Sequence, residues 1–279
     1  MTPFKGKPPN LTTIGRELGT LKQVFVFAVK ENWLGIEKLP EFELPAEEHV
    51  KKATFEGFEI TKIRKHLMKT YKRHAIELEQ DPTRKPKLTD YLRHRVFTDV
   101  FEIAVATAMR PVEIERLTWK QVLFFHKGKR LPFKNITEAK IKDYDVRLTN
   151  VSGKTRPRDV IPMKSCAPSF NSLYEIWDLV LDRAPEGDEP VLINPDCTSR
   201  NWPKSMFETL LKDLDLTYDS SGKKRTAYSL RHYAITEWYK KIGNIEKVAQ
   251  NVGNSPDELR RSYDHVSIEH YADDFGMEE

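Results

Sequence analysis

The spacing of apolar residues along the chain is mostly helical. Apolar positions recur every three or four residues over long stretches, which places them on one face of a helix. Segments rich in proline, glycine or charge separate these stretches. The predicted helices cover residues 11–33, 55–80, 88–108, 168–181 and 202–214, and consecutive short helices are predicted between residues 226 and 263.

Between residues 120 and 163 the pattern changes to short, strand-like runs. One run covers residues 122–125, and two more, 145–151 and 158–162, flank the hairpin-turn sequence Ser-Gly-Lys-Thr. The lysine-rich segment 127–142 receives no assignment, and 190–193 is a short strand or an extended piece. The predicted fold is mixed α/β and mostly α-helical, with a small antiparallel β-sheet.

The helix ends in the last part of the chain are marked by specific residues. Gly243 and Gly253 are typical of helix C-terminal stops. Asn244 and Ser255 are suited to cap the helices that follow, and Pro256 fits a first helical turn. These signals predict tight turns that bring the short helices together.

Composition suggests four segments along the chain. Residues 1–36 hold a proline-rich leader and the first helix, and 37–53 is a linker rich in proline and glutamate. Residues 54–265 form the main domain, and 266–279 is an acidic tail. The tail contains Tyr271, Phe275 and Met277, which are too few apolar residues to form a core of their own.

Bulk composition excludes some classes of protein. Of 279 residues, 32% are charged and 39% hydrophobic, and neither a membrane span nor a signal peptide is visible, so a cytoplasmic protein without membrane contact is predicted. Cys166 and Cys197 lack metal-ligand spacing, and no metal or cofactor is expected. The net charge of +4 is compatible with a nucleic-acid partner but does not indicate one.

Two clusters of basic residues are candidates for DNA contact. The first lies on the predicted helix 55–80, and the second closes a polar loop before the short C-terminal helices. Such clusters favour phosphate contacts, although a basic helix face is equally compatible with simple solvation. The first cluster contains Lys62, Arg64, Lys65, Lys69, Lys72 and Arg73, and the second contains Lys223, Lys224 and Arg225.

Two further stretches carry a family resemblance. Residues 107–119 read Thr-Ala-Met-Arg-Pro-Val-Glu-Ile-Glu-Arg-Leu-Thr-Trp, and residues 228–232 read Tyr-Ser-Leu-Arg-His. A Gly-Asn pair at 253–254 and a tyrosine at 263 follow. This pattern resembles the tyrosine recombinases, the phage-integrase family, whose boxes read Thr-Gly-x-Arg-x-x-Glu and His-x-x-Arg, then Gly-His or Gly-Trp, then Tyr. The resemblance implies the catalytic fold of that family.

The resemblance also implies roles for individual residues. Arg110 and Arg231 would grip the non-bridging oxygens of a DNA phosphate, with Glu113 orienting Arg110. Tyr263 would be the nucleophile that forms a 3′-phosphotyrosine, and Lys154 would protonate the leaving 5′-oxygen.

Other residues compete for two of these roles. Arg156 and Lys164 are the alternatives to Lys154 as the proton donor. Tyr271 competes with Tyr263 as the nucleophile, but its spacing does not fit the family.

Three positions depart from the family's usual pattern, and the first is Ala108, which stands where glycine is usual. Tyr228 stands where histidine is common, and Asn254 stands where histidine or tryptophan is common. Both side chains can donate a hydrogen bond to a phosphate, but neither supplies an imidazole. His232 follows Arg231 directly and is expected to point away from the site as a supporting, structural residue.

The functional prediction is a site-specific recombinase or integrase that acts on double-stranded DNA. The resemblance further implies a homo-oligomer, a tetramer, on DNA and a monomer in solution. Residues 1–36 would be the last helix of the family's core-binding domain. A type IB topoisomerase and a degenerate, non-cleaving DNA-binding protein of the same fold are the alternatives.

Overall fold

The computed structural model describes residues 11–41, 52–81, 85–133, 136, 138–152, 156–163, 166–193 and 201–262. The chain separates into two compact units, Met1–Val50 and Lys51–Glu279. The boundary between them falls inside the segment predicted to be a linker.

The first unit contains one long helix, α1 (Leu11–Lys30), followed by a 3-10 turn at Ile36–Lys38. The chain folds back after α1, where the Trp33 amide donates to the Ala28 carbonyl at 2.9 Å and the Trp33 ring meets Phe27 edge-on. The predicted helix is confirmed, although it ends before Trp33. Within this unit, Val24 and Phe27 are among the apolar side chains that remain exposed.

The second unit is built mainly from helices. They are α2 (Gly57–Gln80), α3 (Lys85–Thr107), α4 (Pro111–Glu115), α5 (Ala167–Leu181), α6 (Lys204–Asp213), α7 (Ala227–Ile242) and α8 (Ile245–Val252). A further helical stretch covers residues 256–262. Among the described residues, none of the helices has the length and apolar content needed to cross a membrane.

A four-stranded antiparallel sheet interrupts the helices. Its strands are β1 (Val122–His126), β2 (Lys129–Leu131), β3 (Asp145–Val151) and β4 (Arg158–Val160), arranged in the order β2-β1-β3-β4. The predicted small antiparallel sheet is therefore confirmed. Strand β2 lies in the lysine-rich segment that received no assignment, because its short polar run carries no alternating pattern.

Helix α3 is the centre of the main hydrophobic core. Its buried side chains include Phe97, Val100, Phe101 and Ile103, and α2, α5 and α7 pack around it. A second, smaller core forms around Trp238 from α7, α8 and residue 259. The two cores meet at the C-terminal end of α3, because Ala108 belongs to the second core and its neighbour Met109 to the first.

The predicted turns between the last helices are confirmed. Gly243 and Gly253 end α7 and α8 with positive φ angles of 64° and 71°. The Asn244 side chain accepts a hydrogen bond from the Lys247 amide at 2.8 Å, and Ser255 Oγ accepts one from the Glu258 amide at 3.1 Å. These turns determine how α8 and the following helix face the rest of the domain.

Residues 190–193, predicted to be a short strand or an extended piece, belong to no named strand, and Pro190 forms an isolated bridge with Thr118. Helix α3 begins at Lys85, before the predicted start at Leu88. The apolar pattern used for the prediction begins later than the helix itself.

A partly buried polar network, centred on the buried Asp99, joins α3 to α5. Ser172 Oγ donates to Asp99 Oδ2 at 2.6 Å and accepts from Arg95 Nε at 2.7 Å, and Arg95 also pairs with Glu175. Burial raises the pKa of the Asp99 carboxyl from 3.8 to about 7, even though the hydrogen bonds from Ser172 and Ser169 and the charge of Arg95 act against it. Asp99 therefore carries its charge at a cost to the folded state.

Asp99 should make folding stability depend on pH. Its pKa is higher in the folded protein than in the unfolded chain, so the contribution of this group is full below about pH 3.8 and is lost as pH rises towards 7. We expect Asp99→Asn to reduce the loss of unfolding free energy between pH 5 and pH 8, as measured by urea unfolding. Comparison with the wild type removes the contribution of the histidines.

The control for this experiment is Asp178→Asn, which changes an exposed carboxylate on α5. It should leave the difference between the two pH values unchanged. Equal pH dependence in Asp99→Asn and the wild type would contradict the assignment.

Candidate active-site cleft

A cleft of about 300 Å³ opens between the start of α4, the first half of α7 and the turn after α8. It is lined by residues from segments far apart in sequence. The cleft contains three cationic side chains and one carboxylate. The lining residues are Lys52, Arg110, Tyr228, Arg231, His232, Ile235, Asn254, Glu258, Leu259 and Ser262.

Arg110 is placed by the start of α4. It is the N-cap residue, with Pro111 at the first helical position. The Glu113 carboxylate holds it at two points, accepting from the Arg110 backbone amide at 2.8 Å and from Nη1 at 2.8 Å. The Arg110 side chain keeps 19% exposure, so its guanidinium is oriented from behind while one edge remains open to the cleft.

Arg231 lies at the start of the second turn of α7 and is almost fully buried, with 4% exposure. Its Nη2 donates to the Val252 carbonyl at 2.8 Å, and its Nη1 donates to the Ala108 carbonyl. Ala108 has a φ of 50°, a left-handed conformation that is unfavourable for a residue with a Cβ atom. This conformation ends α3 and turns the Ala108 carbonyl towards Arg231.

Asn254 joins the two arginines. Its Oδ1 accepts from Arg231 Nη2 and, at 3.5 Å, from Arg110 Nη2. Arg110 Nη2 also lies 3.3 Å from the carbonyl oxygen of Gly253. The turn after α8 thus holds both guanidinium groups in one place, through a backbone carbonyl and a side-chain amide.

Arg158 is a further residue of the site, and no pattern in the sequence indicates it. Arg158 Nη1 and Nη2 donate to the two oxygens of Glu113, each at 2.9 Å, and Nε donates to the Asn251 carbonyl at 2.9 Å. Burial alone would raise the pKa of the Glu113 carboxyl, but hydrogen bonds from Arg158 and Arg110 outweigh it and lower the pKa. An arginine on a short strand offered no signal for this contact.

Tyr228 and Arg231 line the same cleft, as their one-turn spacing on α7 predicts. The expectation that His232 points away from the site is wrong, since His232 also lines the cleft. The reason is that His232 lies four residues after Tyr228 and shares its helix face. Burial, with the charges of Lys52 and Arg231, lowers the pKa of His232 to about 4, so this imidazole is neutral at pH 7.

The roles assigned to Lys154 and Tyr263 stay predictions, because both residues lie outside the described part of the chain, as do Lys164 and Tyr271. Their neighbours are described. Strands β3 and β4, on either side of Lys154, pair Val151 with Arg158. Ser262, the residue before Tyr263 in the sequence, lines the cleft.

The expectation that Arg225 contacts DNA needs correction. Its side chain is 4% exposed and donates twice to Glu59, at 2.9 and 2.7 Å. It also donates to the Thr54 carbonyl at 2.7 Å, and its guanidinium stacks over Phe55 at 4.7 Å. Arg225 therefore ties the start of the domain to the loop before α7 rather than facing a ligand.

Arg64 on α2 also has an internal partner. It forms a two-point ion pair with Glu102 of α3, at 2.7 and 3.1 Å, which makes it a link between these helices. Lys62 is exposed and donates to the Leu214 carbonyl at 2.8 Å. The exposed cations of the first basic cluster are Lys62, Lys65, Lys69, Lys72 and Arg73, and Lys224 is exposed in the second, where Lys223 is half-buried.

The fold and the paired arginines together define a class of protein. The chain folds as the catalytic domain of a tyrosine recombinase, with a helical body, a small antiparallel sheet and two arginines joined at a turn. The model of the phage integrase family matches residues 83–270, which is more than half of the chain. The chain belongs to the phage integrase family.

Solved structures share this fold at low sequence identity. The XerH site-specific recombinase bound to palindromic difH substrate has a TM-score of 0.60 and 15% identity, with 97% of this chain and 68% of that chain covered. The Tn1549 transposon integrase in complex with circular intermediate DNA has a TM-score of 0.57 and 16% identity, with 95% of this chain and 79% of that chain covered. A lambda integrase dimer bound to a COC′ core site has a TM-score of 0.51 and 16% identity, with 96% of this chain and 61% of that chain covered. No match was found among curated proteins.

The Gly253 turn should be sensitive to substitution. A Cβ atom at Gly253 would lie 2.9 Å from Arg158 Cδ, and the φ of +71° is strained for any other residue. We expect Gly253→Ala to lower the free energy of unfolding by about 1–2 kcal/mol from backbone strain. Displacement of Arg158 should add about 1–3 kcal/mol to this loss. Urea unfolding measures the change.

Gly128→Ala is the matched control for Gly253→Ala. Gly128 has a similar φ of +78°, but a Cβ atom there would meet nothing within 4 Å. Gly128→Ala should therefore lose only the unfolding free energy that comes from backbone strain. Equal losses in the two variants would show that the contact with Arg158 is unimportant for stability.

Proposed function

We propose that this chain is the catalytic part of a recombinase that cleaves and rejoins double-stranded DNA through a 3′-phosphotyrosine at Tyr263. The observation that carries the proposal is the meeting of Arg110 and Arg231 at Asn254 in one cleft. Two guanidinium groups in the same cleft can each donate two hydrogen bonds, which suits the non-bridging oxygens of a single phosphodiester. The DNA-bound recombinases that share the fold support the same partner.

The chemistry follows from the charges in the cleft. As Tyr263 attacks the phosphorus, the bond to the 5′-oxygen breaks, and negative charge builds up on the non-bridging oxygens. Arg110 and Arg231 stabilise this charge more strongly in the transition state than in the substrate. Lys154 supplies the proton for the departing 5′-oxygen, and the phenolic proton passes to solvent. The phosphotyrosine bond then allows rejoining by the same path in reverse.

Asn254 takes the place of an imidazole or indole as a hydrogen-bond donor. Its Oδ1 is occupied by the arginines, while its Nδ2 has no hydrogen-bond partner among the described residues. A side-chain amide has two donor hydrogens on this nitrogen. Asn254 can therefore hold both guanidinium groups and donate to the same phosphate.

Exposed cations outside the cleft supply non-specific affinity in this proposal. Lys65, Lys69 and Lys72 are exposed on α2, and no described residue pairs with them as Glu102 pairs with Arg64 or Glu59 with Arg225. Contacts of this type to phosphates give salt-dependent binding that does not depend on sequence. As in the family pattern, the DNA complex is proposed to be a tetramer assembled from monomers.

A non-cleaving DNA-binding protein of the same fold is the second candidate. This alternative is favoured by Tyr228 and Asn254, since neither supplies the imidazole that is common at these positions in the family. It is also favoured by His232, which is neutral at pH 7. A type IB topoisomerase would share the covalent chemistry, and strand exchange between two DNA sites separates it from a recombinase.

The nucleophile can be tested by covalent capture on a nicked suicide substrate. Tyr263→Phe removes only the hydroxyl, so it should abolish the protein–DNA adduct while DNA affinity stays within about twofold of the wild type, since a phosphate is bound mainly by the arginines. Denaturing gel electrophoresis detects the adduct, and a filter-binding titration gives the affinity.

Tyr271→Phe is the control for Tyr263→Phe, since it removes the same group from the competing tyrosine. It should leave adduct formation intact. An adduct that persists in Tyr263→Phe and disappears in Tyr271→Phe would reassign the nucleophile. A wild-type protein that binds DNA but never forms an adduct would establish the non-cleaving alternative.

Tyr228 should contribute one hydrogen bond to the phosphate. Its side chain is 47% exposed and faces the cleft. Removing such a donor by Tyr228→Phe should slow single-turnover cleavage about 10²–10³-fold with binding unchanged. Tyr228→His should retain activity and add a pH dependence below about pH 6.5, because Arg231 and Lys52 lower the pKa of an imidazole in this cleft.

The wild type is the reference for this pH profile. In the wild type, the pKa of His232 is about 4. This histidine should therefore cause no change in the cleavage rate between pH 5.5 and pH 7.5. Cleavage by Tyr228→Phe at the wild-type rate would rule out a role for the hydroxyl.

A further inference from the structure

The structure assigns a positioning role to Arg158: by pairing with Glu113, it prevents that carboxylate from cancelling the charge of Arg110. The inference rests on the proposed function, because it concerns how the cleft binds and stabilises a phosphate. It goes beyond the roles that the sequence pattern assigns, since Arg158 lies on β4 and belongs to neither arginine box.

The geometry shows one carboxylate shared between two cations. Glu113 Oε1 accepts from Arg110 Nη1 at 2.8 Å and from Arg158 Nη1 at 2.9 Å. Glu113 Oε2 accepts from the Arg110 amide at 2.8 Å and from Arg158 Nη2 at 2.9 Å. The group of three side chains therefore carries a net charge of about +1. With Arg158 absent, Arg110 and Glu113 would form a neutral pair.

Burial makes this balance of charge matter. The Glu113 side chain is 1% exposed and the Arg158 side chain 9%, so solvent screens their interaction weakly. Arg110, at 19%, is the member of the group that reaches the cleft. A phosphate in the cleft would meet Arg110, while Arg158 stays behind Glu113 and out of its reach.

Arg158 also positions the turn that faces Arg110. Its Nε donates to the Asn251 carbonyl, and the Asn251 side chain bonds to Ile161 in both directions, at 2.8 and 2.9 Å. Gly253 packs directly against the Arg158 side chain. Strand β4 is thereby joined to the end of α8, so the same residue sets the charge on Arg110 and the place of the Gly253 carbonyl that Arg110 contacts.

The test measures single-turnover cleavage of a suicide substrate by Arg158→Met and Arg158→Lys. We expect Arg158→Met, which keeps the apolar stem but removes the charged guanidinium group, to cleave roughly 100-fold more slowly, as for a small misplacement of a catalytic group. Arg158→Lys restores the positive charge but not the two-point hydrogen bonding of a guanidinium group. It should cleave at least about tenfold faster than Arg158→Met. Equal rates for Arg158→Met and the wild type would overturn the inference.

A double-mutant cycle with Glu113→Gln separates the charge effect from a general structural effect. If Arg158 acts through Glu113, Arg158→Met should slow cleavage by less than about tenfold in a protein that already carries Glu113→Gln. An undiminished 100-fold loss in that background would overturn the inference. Circular dichroism confirms that each variant is folded at the assay temperature.

Salt dependence of DNA binding gives a second readout. A residue behind Glu113 should leave the slope of log affinity against log salt unchanged, whereas a residue that touches phosphate changes it by about 1. In a protein that carries Glu113→Gln, Arg110 stays charged without Arg158, so a slope reduced by about 1 on adding Arg158→Met would show direct phosphate contact and overturn the positioning role.

Arg95→Met is the matched control, because Arg95 is also a well-buried arginine held by a hydroxyl and a carboxylate, between α3 and α5. It should destabilise the fold without changing the cleavage rate of the folded protein, and an equal loss of rate in Arg95→Met would overturn the specific role of Arg158.

Failure of the proposed function is recognised separately. In that case the wild type forms no adduct, and weaker binding of inorganic phosphate to Arg158→Met, measured by nuclear magnetic resonance, still tests the charge on Arg110. Unchanged phosphate affinity would overturn it.

Discussion

The burial of the Arg231 guanidinium beside Arg110 is the constraint around which the site is built. A cation removed from water costs several kcal/mol unless its donors are satisfied. Arg231 finds oxygens on Ala108 at the end of α3, on Val252 at the end of α8 and on Asn254 in the following turn. Since these acceptors carry no formal charge, they orient the cation without neutralising it. The position of one side chain thus couples three helices.

Backbone conformation supplies part of this arrangement. Ala108 and Gly253 both have positive φ angles, and each directs its carbonyl oxygen towards an arginine. Such a conformation costs about 1–2 kcal/mol for a residue with a Cβ atom, which Gly253 avoids and Ala108 does not. Ala108 is fully buried in the smaller core with Trp238, and this packing offsets the strain. Strained backbone of this kind is common at functional sites.

The ratio of cations to carboxylates distinguishes the structural arginines from those of the cleft. Arg225 pairs with Glu59 and Arg64 pairs with Glu102, so each of these pairs is neutral and joins elements of the fold. In the cleft, Glu113 is shared between Arg110 and Arg158, which leaves a positive charge. A count of basic residues in the sequence cannot make this distinction, because it depends on where the carboxylates lie.

The sequence by itself determined the helical body, the small sheet, the caps at Asn244 and Ser255, and the pairing of Arg110 with Glu113, which lie one helical turn apart. These features depend on periodicity or on neighbours within a few residues, so local patterns are sufficient. Only the tertiary structure decided the burial of Arg225 and the contact of Arg158 with Glu113. Each of these depends on side chains that are far apart in sequence and meet only when the core packs.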